Sequence, residues 1–234
     1  MSDGAGCARP SDDRPSIVIF DFDGTLVRTD SFLDFSRRYC AERPGRLLMV
    51  GAMLPLAMLG ALHSRETAGS MLLWAMTVGC PTRRFVTALI RYARHTLLDH
   101  ANEAAFTELT RHLERGNRVI IATGTMPLIV RGLLRARRLD RVPIVGSRLR
   151  RRWGGLVAET HCTGKTKVKE LRRRLGIVAW SSVYTDSYAD YALLSGARDV
   201  TLVSPSARTL RHTRRSLDRA VPLRVMWRTG ARTT

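Results

Sequence analysis

The sequence has few lysines, few aromatic residues and few cysteines, and these shortages narrow the kinds of protein it can be. Only three of its 39 basic residues are lysines, at positions 165, 167 and 169, and aromatic residues make up 6% of the 234 positions. Its four cysteines form no CxxC pair, which argues against a structural zinc site and against a disulfide framework. A hydrophobic content of 44% excludes a fibrous or wholly disordered chain.

Acidic residues are the minority among the charged groups. The 39 basic and 20 acidic residues give a net charge of +19. Residues 127–152 alone contain nine arginines and one aspartate, a local charge of +8. Such a surface attracts phosphate groups on nucleic acid, on anionic lipid or on a small substrate. A base composition of the coding DNA that favours arginine codons would explain many of these arginines equally well.

The start of the chain lacks the apolar stretch of a secretory signal peptide. Residues 1–15 are polar and contain proline, so we expect a flexible leader. The protein is therefore expected in the cytoplasm, or with its soluble part facing the cytoplasm.

Short apolar runs separated by helical segments predict an α/β fold. The predicted strands are residues 17–20, 119–122, 183–184 and 200–203. The predicted helices are residues 102–114, 128–138, 165–175, 190–194 and 207–217. This alternation favours a Rossmann-like parallel sheet with helices on both faces, formed by residues 16–29 and 100–220. We also expect a hairpin at 148–160, turning at Gly154-Gly155, and a basic tail at 221–234.

Residues 30–99 contain no convincing strand and predict an inserted helical cap. Charged residues are missing from 47–64 and from 67–82. The strictly apolar part, 47–62, would be roughly 24 Å long as a helix, shorter than the roughly 30 Å hydrocarbon core of a membrane, and Pro55 would kink it. We therefore expect a helical hairpin that dips into one leaflet or lies at the membrane surface. A buried helix pair in an ordinary cap is the alternative.

Polar residues follow three of the predicted strands at the point where each strand ends. They are Asp21 and Asp23 after the first, Thr123 after the second, and Asp186 and Asp190 after the third. The carboxyl ends of parallel strands meet at one edge of a sheet, where ligands bind. Carboxylates gathered there repel one another unless a cation is present, and oxygen ligands suit Mg²⁺. The sequence therefore predicts a magnesium site.

The same residues suit phosphoryl transfer. Asp21 can attack phosphorus and form an aspartyl-phosphate, while Asp23 can protonate the leaving oxygen and then activate water. We expect Thr123, Gly124 and Lys167 to bind the phosphoryl oxygens. The predicted metal ligands are Asp21, the carbonyl of Asp23, Asp186 and, directly or through water, Asp190.

The order of these motifs resembles the haloacid dehalogenase superfamily. The matching segments are Asp21-Phe-Asp-Gly-Thr-Leu, Thr123, Cys162-Thr-Gly-Lys-Thr-Lys167 and Asp186-Ser-Tyr-Ala-Asp190. A helical insertion between the first two motifs resembles subfamily IB, which includes phosphoserine phosphatase. The resemblance implies a Mg²⁺-dependent phosphatase with an aspartyl-phosphate intermediate and makes Lys167 the motif lysine. Thr185-Asp186-Ser187 departs from the Gly-Asp-Gly of many members but keeps the carboxylate.

The cap is similar to that of the phosphatidylglycerophosphatase C family. The similar segments are residues 30–35, 47–62, 71–79, 123–128 and 151–155. This likeness implies a role in phospholipid biosynthesis, the removal of the terminal phosphate of phosphatidylglycerophosphate at the cytoplasmic face of the inner membrane. The arginines that precede the apolar run agree with the positive-inside tendency. They are Arg37, Arg38, Arg43 and Arg46.

Two other functions remain open. A soluble phosphatase of the phosphoserine phosphatase type, located in the cytoplasm, would share every catalytic residue and differ only in the cap. A non-enzymatic adaptor could bind nucleic acid or membrane through arginine, although the acidic cluster would then have no purpose. The expected partners are a phosphorylated substrate, an anionic phospholipid for the main interpretation, and the membrane surface. No nucleic acid partner is expected.

Overall fold

A computed structural model describes residues 15–227. Residues 1–14 of the expected leader and 228–234 of the expected tail lie outside the described residues. The helices and strands, in chain order, are β1 (Ile17–Phe20), α1 (Ser31–Ala41), α2 (Pro44–His63), α3 (Arg65–Thr77), α4 (Thr82–His95), α5 (Glu103–Glu114), β2 (Arg118–Ala122), α6 (Pro127–Ala136), β3 (Ile144–Val145), β4 (Arg148–Arg152), β5 (Gly155–Thr160), α7 (Lys165–Leu175), β6 (Ser182–Thr185), α8 (Tyr191–Leu194), β7 (Asp199–Val203), α9 (Ala207–Ser216) and β8 (Leu223–Met226).

Six parallel strands form the main sheet in the order β3-β2-β1-β6-β7-β8. The central strand β1 is apolar throughout because both faces of the sheet are covered. Val18 and Phe20 pack into one hydrophobic cluster, and Ile19 packs into a second cluster on the opposite face. The predicted Rossmann-like α/β fold is confirmed.

The strand order reverses between β1 and β6. In sheets of this type, the crevice beyond the carboxyl ends of the strands at the reversal is where ligands bind. Asp21 follows β1 directly, and Asp186 follows β6 directly. The fold thus places the ends of two distant segments side by side.

The expected basic tail requires a correction, because part of it is a strand. Leu223 to Met226 pair in parallel with β7 and form the outer strand β8 of the sheet. Exposed Arg224 interrupts the apolar residues, so no continuous apolar run marks this strand. Strand β3 was also missed, since it contains only Ile144 and Val145.

Helices α1–α4 are inserted between β1 and β2 and form the helical cap. The segments that lead into and out of this insertion are held together by backbone hydrogen bonds. Asn102 N donates to the carbonyl of Leu26 at 2.9 Å, and Arg28 N donates to the carbonyl of His100 at 2.8 Å. The insertion therefore leaves and rejoins the core at one place.

Two of the cap helices pack directly on the core. Phe35 of α1 and Phe85 of α4 stack edge to face at 5.6 Å and belong to the same hydrophobic cluster as Phe20. Helix α4 approaches α6 so closely that a Cβ atom on Gly132 would lie 2.5 Å from that of Ala93. Helices α1 and α4 thus form the base of the cap.

Helix α2 differs from the other cap helices because it is apolar and exposed. The segment Pro44–Leu62 is long and apolar enough to cross a membrane by length and composition, and 6% of it is buried. The helix continues past Pro55, and its 20 residues span about 30 Å, whereas the strictly apolar part, 47–62, keeps the expected length of roughly 24 Å. This exposure contradicts the alternative of a buried helix pair for α2.

Helix α3 folds back along α2 and connects it to the small β4-β5 hairpin. Ser64 ends α2 and caps α3, with its Oγ accepting from Thr67 N at 3.0 Å. The hydroxyl of Thr77 accepts from Leu156 N at 2.8 Å, which joins α3 to β5. Strands β4 and β5 are antiparallel as expected, but the turn is at Trp153 and Gly154 rather than at Gly154-Gly155, because Gly155 already pairs with Arg152 as the first residue of β5.

Candidate active site

Asp21 lies at the carboxyl end of β1 and is buried. Its backbone N–H donates to the carbonyl of Tyr184 in β6 at 2.9 Å, which ties the two strand ends together. Burial raises the pKa of Asp21 well above its usual range, and the opposite charge of Lys167 offsets this only in part. The carboxylate is therefore held in a position where it needs cationic partners.

Lys167 supplies one such partner. Its Nζ donates to Oδ1 of Asp21 and to Oδ2 of Asp190, both at 2.8 Å. Burial lowers the pKa of Lys167, but the two carboxylates outweigh this and hold the pKa above its usual value. Lys167 is 3% exposed, whereas Lys165 and Lys169 on the same helix are exposed. Of the three lysines in the sequence, the structure brings Lys167 to Asp21.

Asp190 faces Lys167, and this was not part of our expectation. Its Oδ2 also accepts from Oγ1 of Thr185 at 2.9 Å. The contacts with Lys167 and Thr185 make Asp190 a positioning partner that orients the lysine towards Asp21. Direct or water-mediated metal binding by Asp190 stays a prediction.

Asp186 lies against the turn that follows β1. Gly24 in this turn has a φ of +74°, and a Cβ atom there would be 2.2 Å from Oδ2 of Asp186. Only glycine both adopts this conformation easily and leaves space for the carboxylate. This close approach explains why glycine follows Asp23. It also places the carboxylate of Asp186, which follows β6, at the carboxyl end of β1.

Asp23 lies beside Asp21 and faces the start of α1. Its Oδ1 accepts from Ser31 N at 2.8 Å. Burial raises the pKa of Asp23 to about 6, against the opposing effect of the hydrogen bonds with Ser31. A carboxyl group that titrates near neutral pH is suited to give up a proton in one step and take one up in the next.

Thr123 and Gly124 form the loop that follows β2. Thr123 is fully buried, and its Oγ1 accepts from Thr125 N at 3.0 Å. The carbonyl of Gly124 accepts from Oγ of Ser147 at 2.5 Å. Ser31 and Thr125 approach each other at 3.3 Å between their hydroxyl oxygens, which links the loop to the cap.

Sequence reasoning did not identify Ser31, Thr125 or Ser147 as part of this site. They come from the start of α1, from the β2–α6 loop and from the residue before β4. The one usable signal was Asp30, a helix-capping residue type that marks the start of α1 and hence the place of Ser31.

The residues at the β1 and β6 ends fit a magnesium ion. In residues 15–227, no group of three acidic, histidine or cysteine side chains could hold a metal by itself. Asp21, Asp186 and the carbonyl of Asp23 nevertheless offer an all-oxygen set, and Mg²⁺ commonly completes its shell with water and substrate phosphate. Because burial raises the pKa of Asp21 and Asp23, a divalent cation would stabilise their ionised forms.

A cavity of about 350 Å³ opens next to Asp23, between the core and the cap. Its lining combines core residues of the site with apolar and polar residues from the cap, the β4-β5 hairpin and the segments next to them. The residues of its lining that lie outside the strand ends include Phe32, Glu66, Ser70, Leu73, Met126, Leu149 and His161. Nε2 of His161 and Oγ of Ser70 lie 3.3 Å apart. A carboxylate oxygen of Glu66 accepts from the Thr163 hydroxyl at 3.0 Å.

The site lies within a sequence region that identifies the family. The sequence model of haloacid dehalogenase-like hydrolases matches residues 18–195. The chain belongs to this family. The match begins in β1 and ends just after α8, so it includes Asp21, Lys167, Asp186 and Asp190.

Solved structures with the same fold are distant in sequence. A protein of unknown function from Bordetella pertussis Tohama I has a TM-score of 0.67 at 19% identity, covering 91% of this chain and 99% of that one. A phosphoserine phosphohydrolase-like protein from Francisella tularensis has a TM-score of 0.55 at 17% identity, with coverages of 80% and 87%. A substrate-bound phosphoserine phosphatase has a TM-score of 0.54 at 17% identity, with coverages of 88% and 99%.

Proposed function

We propose that the protein is a Mg²⁺-dependent phosphomonoesterase that acts through an aspartyl-phosphate on Asp21. The observation that carries this proposal is the buried contact of Asp21 with Lys167, next to Asp186 and Asp23. Family membership gives hydrolysis as the class of reaction. The all-oxygen set at the sheet edge agrees with phosphoryl chemistry.

The first half-reaction transfers the phosphoryl group to Asp21. A carboxylate oxygen of Asp21 forms a bond to phosphorus while the ester P–O bond breaks. Asp23 donates its proton to the leaving alcohol oxygen. Lys167 and the Thr123–Gly124 loop bind the phosphoryl oxygens as their charge shifts.

The second half-reaction releases phosphate and restores both carboxyl groups. Asp23, now ionised, takes a proton from water, whose oxygen bonds to phosphorus as the bond to Asp21 breaks. Mg²⁺, held by Asp21, the Asp23 carbonyl and Asp186, would supply charge neutralisation for the phosphoryl oxygens. The positions of Asp21 and Asp23 on one turn allow both steps within one site.

Trapping the intermediate tests this mechanism. Asp23→Asn should slow the second half-reaction, so acid-quenched protein should carry labelled phosphate from a substrate with a good leaving group. Asp21→Asn should carry none, and exposed Asp140→Asn should behave as the native protein. Label on Asp21→Asn, or native protein without Mg²⁺-dependent phosphate release, would contradict the proposal.

For the substrate we infer a lipid phosphomonoester, phosphatidylglycerophosphate, which is converted to phosphatidylglycerol at the cytoplasmic face of the inner membrane. The exposed apolar surface of α2 supports this, because water is a poor environment for it. Phe32, Leu73, Met126 and Leu149 give the cavity an apolar wall. Among the described side chains, which leave out His63 and Arg65, no arginine or lysine lines the cavity to bind the carboxylate of an amino acid substrate.

A soluble small-metabolite phosphatase of the phosphoserine phosphatase type is the second candidate. The comparisons favour it over the lipid substrate, since the similar folds with a named activity include phosphoserine phosphatases. Glu66, Ser70 and His161 offer this candidate polar groups at the cavity wall.

Phosphate release measured side by side separates the two candidates. The substrates are phosphatidylglycerophosphate in mixed micelles, phosphatidic acid and phosphoserine, each with Mg²⁺ and native protein. A lipid phosphatase prefers phosphatidylglycerophosphate over the other two. Comparable or faster turnover of phosphoserine would overturn the lipid assignment in favour of the second candidate.

A further inference from the structure

A second cavity lies in the cap, and arginine side chains dominate its wall. Its volume is about 400 Å³, and it shares no lining residue with the cavity beside Asp23. We name it the arginine pocket and define it by Tyr39, Arg43, Arg46, Arg83, Arg84 and Arg91.

The positive charge of the arginine pocket is largely uncompensated. Within the described residues, Glu42 is the one carboxylate paired with any of its five arginines, at 3.0 Å from Arg43. Arg83, Arg84 and Arg91 project from α4 and are exposed, whereas Arg43 and Arg46 are half-buried. Guanidinium groups gathered in this way bind phosphate oxygens with paired hydrogen bonds.

The backbone around the pocket adds to this preference for an anion. Helix α4 begins at Thr82, and no side chain caps its N-terminus at Pro81. The first N–H groups of a 14-residue helix and the positive end of its dipole favour a negative charge here. Arg151 reinforces the field, because its guanidinium donates to the Thr82 hydroxyl at 3.1 Å and to the carbonyl of Cys80 at 3.0 Å.

The half-buried arginines are already fixed in place by the protein. Arg43 donates to the carbonyl of Tyr39 at 3.1 Å and lies 4.1 Å from the centre of the Tyr39 ring. Arg46 donates to the carbonyl of Val78. Side chains that are held before a ligand arrives lose less conformational entropy when they bind it.

The position of the pocket next to the apolar helix α2 favours a lipid as the source of the anion. Arg43 and Arg46 flank Pro44, the first residue of α2, and a neighbouring hollow runs from them to Met49 on that helix. Arginines at the end of an apolar helix lie at the depth of lipid headgroups when the helix enters the apolar part of a membrane. An anion bound in the arginine pocket would thus be next to the lipid chains that cover α2.

We infer that the arginine pocket is a binding site for the phosphate of an anionic phospholipid headgroup, separate from the catalytic cavity. The bound lipid would hold the N-terminal end of α2 at the membrane and would not be hydrolysed in the arginine pocket. This inference rests on the proposed membrane contact of α2, but not on phosphatase activity.

Vesicle binding by charge-matched variants tests the inference. The pocket variant is Arg83→Gln/Arg84→Gln/Arg91→Gln, and the control is Arg208→Gln/Arg211→Gln/Arg215→Gln, whose exposed arginines lie on α9. The vesicles contain phosphatidylcholine alone or phosphatidylcholine with phosphatidylglycerol. For the mixed vesicles we expect the pocket variant to lose about tenfold to a hundredfold in affinity, and the control to lose much less.

The remaining readouts separate this inference from its alternatives. Both variants should hydrolyse p-nitrophenyl phosphate at the native rate, which shows that the fold and the chemistry are intact whatever the lipid result. Single Arg91→Gln provides a milder change if the triple variant does not fold. Equal losses of vesicle affinity in both triple variants would mean that net charge alone attracts the protein to the vesicles. That result would contradict a specific site in the arginine pocket. Binding of inorganic phosphate to native protein without vesicles, lost in the pocket variant while that variant still binds the mixed vesicles like native protein, would assign the pocket to free phosphate instead.

Discussion

The core and the cap distribute their polar and apolar side chains in opposite ways. The core buries the charged groups of Asp21, Lys167 and Asp190 and pairs them with one another. Helix α2 of the cap leaves Leu48 and Leu62 exposed by 74% and 85%. Buried charges and exposed leucines both cost stability in water. The comparison therefore teaches that the core gathers its polar groups inside, around Asp21, whereas α2 presents an apolar surface outside, which is the surface that would contact lipid under the proposed function.

Removing Lys167 should have the largest effect on the core side of this comparison. Lys167→Ala leaves the carboxylates of Asp21 and Asp190 buried without their shared cation. We expect phosphate release to fall by about 10²–10³-fold and the free energy of unfolding to fall by about 3–5 kcal/mol. Lys169→Ala removes an exposed lysine from the same helix and should change the free energy of unfolding by less than about 0.5 kcal/mol. Rate assays and urea unfolding measure both, and equal effects of the two variants would contradict the pairing.

The Gly24 turn offers a second test, with a smaller expected effect. Gly24→Ala and Gly116→Ala both introduce a side chain at a φ of +74°, but only Gly24 has Asp186 against it. Both variants should lose about 1–3 kcal/mol of unfolding free energy through backbone strain. Gly24→Ala should lose more than this and should also slow phosphate release by about 10²-fold through displacement of Asp186. If the two variants behave alike in both assays, Asp186 does not contribute to the site.

A charged residue on α2 tests the cap side of the comparison. We expect Leu62→Glu to weaken binding to phospholipid vesicles by about tenfold or more, because an apolar contact with the membrane is replaced by a charge. Hydrolysis of a soluble substrate should not change. Val178→Glu is the matched control, since Val178 is 66% exposed but belongs to the core. Vesicle flotation measures the binding of both variants. Equal binding by Leu62→Glu and Val178→Glu would mean that α2 faces water and not lipid.

The pH dependence of stability tests the burial of Asp23 on the core side of the comparison. Burial raises the pKa of Asp23 from 3.8 to about 6, so the folded protein holds a proton that the unfolded chain has released. Without divalent cations, the contribution of Asp23 to stability should therefore decline as the pH rises from 3.8 to about 6. Asp23→Asn should remove that part of the decline. Thermal unfolding of both proteins in a chelating buffer measures it, and an identical pH profile would show that Asp23 is not buried in this way.

The central strands could be predicted from the sequence because their burial on both faces leaves a continuous apolar run. This held for β1 and β2, whereas β6 and β7 contain threonine and were predicted from the shorter stretches 183–184 and 200–203. It failed for β3, which is two residues long, and for β8, where Arg224 alternates with apolar residues at the sheet edge. Edge strands have one less neighbour, so their sequences carry less of the pattern.

The candidate site was only partly predictable for a different reason. Asp21 and Asp186 directly follow strands, so sequence position alone suggests where they lie. The partners of Lys167 depend on the rotation of α7, and the contacts of Ser31 and Ser147 depend on how separate loops meet. None of these is encoded by local spacing, because each is set by tertiary packing.

The place of β6 beside β1 also has a consequence for synthesis of the chain. The first strand emerges from the ribosome with Asp21 at its end, but one of its edges lacks a hydrogen-bonding neighbour until Ser182 to Thr185 have been made. Lys167 and Asp186 are also made late, the first shortly before β6 and the second directly after it. A growing polypeptide therefore carries Asp21 for most of translation without Lys167 and Asp186, and under the proposed function no phosphate release is expected before β6 has paired with β1.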